Sequence, residues 1–167
     1  MAKAGIVLFI FFLFLGFGAC EKDDICVEGD TPLLVIRFYN TQDTSTLKKA
    51  SKLRVIGLGQ SSVVSTFKDR SNTDSIAIPL RIDNPETDYV FILNSADTDS
   101  VETGNRDTLR FTYNIKEVFI SRACGYAINY EDLQVALPSD ASPWVQDISI
   151  VQSNVQNQAS AHVKIYH

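Results

Sequence analysis

Leu109-Arg110-Phe111-Thr112-Tyr113-Asn114-Ile115-Lys116 alternates apolar and polar side chains without a break. In a strand the four apolar residues share one face; a helix would scatter them around its circumference, so the stretch predicts a half-buried strand. The same period of two recurs upstream, where Ile76, Ile78, Leu80 and Ile82 alternate with Ser75, Ala77, Pro79 and Arg81. Pro79 offers no backbone N–H, which points to an edge strand or a bulge there. Tyr126, Ile128 and Tyr130 alternate again, and Ala161, Val163 and Ile165 do so opposite His162, Lys164 and Tyr166.

Working outward, Leu33–Tyr39, Leu53–Ile56, Val63–Phe67, Tyr89–Leu93, Glu117–Ser121, Val135–Leu137 and the region of Ile148 and Ile150 read as further short strands. Asp83-Asn84-Pro85-Glu86 reads as a turn, and a break is expected near 114–116. Thr46–Lys52 is the one tempting helical turn, and it is short. Eight to ten strands in one domain predict an all-β fold. The expected form is an antiparallel two-sheet β-sandwich, Ig-like or related, with a small β-barrel as second choice.

The first nineteen of the 167 residues differ from the rest. They hold five of the ten Phe, the single Met, one of the fifteen Lys and Arg, and none of the twenty Asp and Glu. Lys3 precedes an unbroken apolar run from Ile6 to Leu15. Ten residues of helix rise about 15 Å, half a bilayer core, so the segment reads as a signal peptide with a transmembrane anchor as the alternative. Its end, Phe17-Gly18-Ala19-Cys20, resembles the lipobox of bacterial lipoproteins, in which the Cys is acylated and becomes the first mature residue; Phe17 stands where Leu is usual. Several acyl chains on one residue give durable attachment where a single chain is marginal. The partner implied is the lipid bilayer, held through Cys20.

The expected organisation is a signal peptide over 1–19, a lipidated Cys and acidic tether over 20–30, and one β domain over 31–167. Glu21-Lys22-Asp23-Asp24 resembles the short signal that routes lipoproteins to the outer face of the outer membrane in Bacteroidota; a plain solvated tether is the alternative. With Cys20 acylated, Cys26 and Cys124 remain, and in an oxidising compartment an even pair reads as a disulfide. A loop of that length has a chain-entropy stabilisation of up to about 4.7 kcal/mol. Two buried free thiols are the alternative.

The chain is similar to a family of small lipoproteins of Bacteroidota grouped as a domain of unknown function, the DUF6452 type. The residues that carry the likeness are Cys20 with its acids, Asp24-Ile25-Cys26, Thr31-Pro32, Ile36-Arg37-Phe38-Tyr39 and Lys116-Glu117-Val118-Phe119-Ile120-Ser121-Arg122-Ala123-Cys124-Gly125. The resemblance implies export, lipidation and a β domain, and carries no chemistry.

Without the first nineteen residues the chain has fourteen cationic and twenty acidic side chains, a net charge of −6 with no basic block. Nucleic acid, which needs a positive footprint, is not an expected partner. Gly57-Leu58-Gly59-Gln60-Ser61-Ser62 lacks the Lys and following helix of a phosphate loop. Asp97, Asp99 and Glu102 are weak calcium candidates, without the Gly-turn spacing of an EF-hand. His162 and His167 are too few for a zinc site and read as surface residues. Arg37, set in an apolar run, is a candidate for a structural ion pair with Glu117. Trp144 reads as a core or rim plug, although with Tyr113, Tyr126 and Tyr130 it could form an aromatic platform for glycan. No cofactor is implied. The expectation is a non-catalytic envelope module with a protein or glycan partner; an envelope hydrolase is the alternative.

Overall fold

The computed structural model describes residues 26, 30–99, 101–138 and 141–167. The expected signal segment, Cys20 and the acids that follow it lie outside the described residues. Nine strands are found among those described: β1 (Leu34–Tyr39), β2 (Ala50–Gly57), β3 (Ser71–Thr73), β4 (Ser75–Ile78), β5 (Glu86–Thr98), β6 (Val101–Ser121), β7 (Gly125–Ala136), β8 (Asp147–Ile150) and β9 (Val163–Tyr166). They form a four-stranded sheet in the order β4-β1-β9-β8 and a five-stranded sheet in the order β3-β2-β5-β6-β7. The architecture is a two-sheet sandwich and not a closed barrel. No helix of the described residues is long and apolar enough to cross a membrane.

The core follows from the alternation. Leu34, Ile36 and Phe38 of β1, Ile76 and Ile78 of β4, and Val163 and Ile165 of β9 are buried. So are Leu53 and Val55 of β2, Tyr89 and Phe91 of β5, Leu109, Phe111 and Tyr113 of β6, and Tyr130 and Leu133 of β7; all belong to one cluster. Pairing is antiparallel except between β1 and β9, which run parallel with Ile36 opposite Val163 and Phe38 opposite Ile165. The first and last strands thus lie side by side at the centre of the smaller sheet.

Several elements differ from the expectation. The break at 114–116 is absent: β6 runs unbroken for 21 residues. A register shift between Thr112 and Asn114 absorbs the irregularity, opposite Asp132 at φ 55° on β7. The two short strands expected over 126–137 are accordingly one. Val63–Phe67 forms no strand; it is held to β2 by a single bridge, Val63 with Ile56, and by the Val64 N–H on Val55 O at 3.0 Å. Val64 and Phe67 pack against the core as a plug. Thr46–Lys52 forms no helix, because Ala50 already begins β2. Pro79 lies just beyond the end of β4, where no ladder N–H is needed.

The β5–β6 ladder carries its own bulge between Leu93 and Ala96. Opposite it, Gly104 sits at φ +121°, and an added Cβ would come within 2.6 Å of Leu93 O. That site tolerates glycine alone.

Candidate functional site

The polar groups of the interior are engaged in structural contacts. The connector after β4 crosses from the smaller sheet to the larger one, and three tyrosines hold it. The Tyr89 hydroxyl donates to Pro79 O at 2.6 Å, Tyr130 to Leu80 O at 3.0 Å and Tyr113 to Arg81 O at 2.9 Å. The Tyr113 hydroxyl also meets Thr87 Oγ1 at 2.6 Å, and the Arg81 N–H donates to that same oxygen. Burial, joined by the charge of the neighbouring tyrosine hydroxyls, pushes Tyr89 and Tyr130 up to about 12. These hydroxyls therefore stay protonated and act as donors to three successive carbonyls.

Trp144 lies in the core, its indole N–H on Phe91 O at 3.2 Å. With Tyr113 and Tyr130 also buried, the row of aromatics considered as a glycan platform does not exist; Tyr126 alone is displayed, 68 % exposed.

The expectation of surface histidines is corrected. His162 is 1 % exposed. It precedes β9 rather than sitting within it, so the strand alternation does not govern its side chain. Its backbone N–H donates to Val35 O, and its Nδ1 accepts the Val35 N–H at 3.0 Å, completing the β1 ladder with a side-chain atom. His167 is 9 % exposed and lies edge-on to Trp144 and Phe38. Burial lowers both pKa values below the usual range. A backbone hydrogen bond with Asn157 opposes the shift at His162; at His167 one with Lys48 opposes it, while the Lys48 charge adds to it.

The calcium candidates are taken by arginines. Glu102 accepts from Arg54 Nη1 at 2.5 Å, Arg70 Nη2 at 3.1 Å and Ser95 Oγ at 2.7 Å. Asp97 accepts from Arg70 at 2.5 Å, and Arg54 also pairs with Asp69 at 2.8 Å. Burial raises the Glu102 pKa, but the donors around it outweigh that and the net shift is downward. Two guanidiniums already occupy the place a cation would need. Asp99 stands apart, exposed at the hairpin turn with φ 51°. Among the described residues no group of three or more His, Cys, Asp or Glu could hold a metal ion.

Arg37 and Glu117 do not pair. Arg37 is exposed on β1 of the smaller sheet, and Glu117 is exposed on β6 of the larger one. Arg37 occupies the outward position between buried Ile36 and Phe38, so it needs no carboxylate. The 57–62 loop is a tight turn, with the Gln60 N–H on Gly57 O and Gly59 at φ +77°. The depression beside it is lined mainly by polar side chains, among them Gln60, Arg81, Asn84 and Asp88.

The feature that stands out is the far end of the β6–β7 hairpin. Cross-strand partners share a face, and burial fades along that face toward the tip. Tyr130 opposite Ile115 is fully buried, Ile128 opposite Glu117 is half-buried, and Tyr126 opposite Phe119 is open to solvent. The arm thus carries the inner face, interrupted by exposed Glu117, out to a solvent-open aromatic pair at the tip. Phe119 is 56 % exposed and its ring meets that of Tyr126 at 5.3 Å, edge to face. Ile120, at the register shift between the Phe119–Tyr126 and Ser121–Gly125 pairs, is 38 % exposed. At the turn Cys124 is joined to Cys26 with the Cα atoms 4.9 Å apart, so the expected disulfide is present and ties the start of the domain to the hairpin tip. The sequence signal for this arm was Phe119 and Tyr126 placed symmetrically about a short turn, hidden by the polar residues at 114, 116 and 117.

No curated protein and no solved structure matches the chain. Residues 52–167 match a family of unknown function, DUF6452, a span that runs from β2 to the end of β9 and includes the whole β6–β7 arm. The chain belongs to the DUF6452 family.

Proposed function

We propose that this chain is a lipid-anchored module of the bacterial envelope, held at the outer membrane through acylated Cys20, and that it works by binding or by supporting assembly rather than by catalysis. The observation that carries the reading is the Cys26–Cys124 disulfide. It suits an exported protein, because such bonds persist in oxidising compartments. It also fixes the chain only six residues after the lipobox-like Phe17-Gly18-Ala19-Cys20, so a pull on the anchor is borne by the covalent bond and not by fraying of the first strand. Support for a non-catalytic role comes from the use of the interior polar groups. The tyrosines, both histidines and the Arg54–Arg70 network each hold backbone or one another. The acidic run Glu21–Asp24 supports exposure on the outer face.

The test is to express the whole chain in a bacterium of the Bacteroidota supplied with an alkyne-tagged fatty acid. The parent is expected to carry the tag in the outer-membrane fraction and to be trimmed by protease added to intact cells. Cys20→Ser is expected to lose the tag and the membrane association. An untagged, freely soluble parent would overturn the proposal.

A further inference from the structure

We propose that the tip of the β6–β7 arm is a second membrane contact, with Phe119, Ile120 and Tyr126 seated at the boundary between headgroups and acyl chains; the proposal rests on the acylation of Cys20 put forward above. Reach is the first argument. Cys26 lies six residue steps after Cys20, which an extended chain spans in at most about 22 Å. The disulfide then places Cys26 against Cys124, and the Phe119–Tyr126 pair lies two residues before the Ser121–Gly125 pair on β6 and one residue after it on β7, at most about 7 Å along the strands. An anchor inserted at Cys20 therefore confines this end of the molecule to the bilayer surface.

Chemistry is the second argument. Phe119, Ile120 and the Tyr126 ring are all open to solvent at the tip, which suits end-on entry. Tyr presents an apolar ring and a polar hydroxyl, the combination favoured at the interface between lipid and water. Charge is the third. Lys116 is paired with Glu131 at 2.6 Å, which leaves Arg122 as the cation of the tip among the described residues. Arg122 is exposed at the turn itself, where lipid phosphate would meet it.

The test uses the full chain purified from membranes and carrying Phe119→Trp, reconstituted in vesicles of phosphatidylethanolamine and phosphatidylglycerol with brominated acyl chains. Trp144, buried in the core, supplies the background in the parent. The mass of the Cys20 peptide and flotation of the vesicles are read on the same sample. The expected result is an acylated, floating chain whose added indole shifts to shorter wavelength and is quenched by bromine. An acylated, floating chain whose added indole is quenched by water-soluble acrylamide and not by bromine would overturn the arm contact and leave the anchor standing. Protection from both quenchers, with a doubled mass in detergent, would assign the tip to a second copy and overturn the proposal. A chain without acyl groups that fails to float would overturn the anchor and the arm contact together.

Discussion

Tyr89, Tyr113 and Tyr130 differ from phenylalanine by one oxygen each, and that oxygen holds the crossing between the two sheets. Tyr113→Phe keeps the ring packing and leaves the Arg81 carbonyl without this donor, so a loss of about 1–3 kcal/mol is expected in urea unfolding. An unchanged midpoint would show that water serves the carbonyl equally well. At His162, a protonated ring could not accept the Val35 N–H at Nδ1. Burial holds both histidines below their ordinary value of 6.5, so the folded state binds fewer protons than the unfolded chain as pH drops. Stability is then complete above about pH 6.5 and declines as pH falls through that value toward the folded pKa. The urea midpoint should decrease from about pH 7.5 to about pH 5.5. His162→Asn combined with His167→Gln, which supply an acceptor near the Nδ1 position of His162 and a donor to Lys48 O near the Nε2 position of His167 without titrating there, should flatten that slope. Neither histidine was legible as buried, because its environment is made by residues distant in sequence: the Val35 backbone for one, the Lys48 backbone and the Phe38 ring for the other.

Strand β6 shows what a sequence pattern conveys and what it conceals. Its first apolar set, Leu109, Phe111, Tyr113 and Ile115, was readable because each faces the same core. Its length was not, since a strand that leaves the sandwich no longer needs alternation; Lys116, Glu117 and Phe119 are all exposed there. The calcium reading failed for a related reason: the arginines that neutralise Asp97 and Glu102 come from β2 and the segment before β3. Glu102→Gln should therefore destabilise by about 1 kcal/mol, modest because the network is partly solvated, and added calcium should not shift its melting or that of the parent. A calcium-dependent rise in the parent would restore the metal reading. Gly104→Ala should cost more than the ordinary ~1 kcal/mol of a strand substitution, because both its φ and its space are against a side chain. The disulfide acts on the next hairpin, β6–β7. Replacing Cys26 and Cys124 together by Ser should lower stability by about 2–4 kcal/mol and expose the N-terminal segment to protease, while the near-native strand signal persists in circular dichroism.

Across the whole molecule, one end concentrates the features that point to the membrane. The hairpin tip, the disulfide and the shortest path to Cys20 coincide there, while the interior of the sandwich is closed by tyrosines, Trp144 and two neutral histidines. The sandwich was legible from periodicity, and the disulfide from the even pair of cysteines left once Cys20 is read as acylated. The parallel pairing of β1 with β9 was not, because nothing local marks the direction of a neighbour that is more than a hundred residues away. The claim on which the account depends is that this domain is tied to a bilayer through Cys20. Its most direct test is the intact mass of the chain extracted from native membranes without reduction. The account predicts a chain that begins at Cys20, carries acyl groups on that residue and retains the Cys26–Cys124 bond. A chain that still contains the first nineteen residues, or one with an unmodified thiol at Cys20, would contradict it.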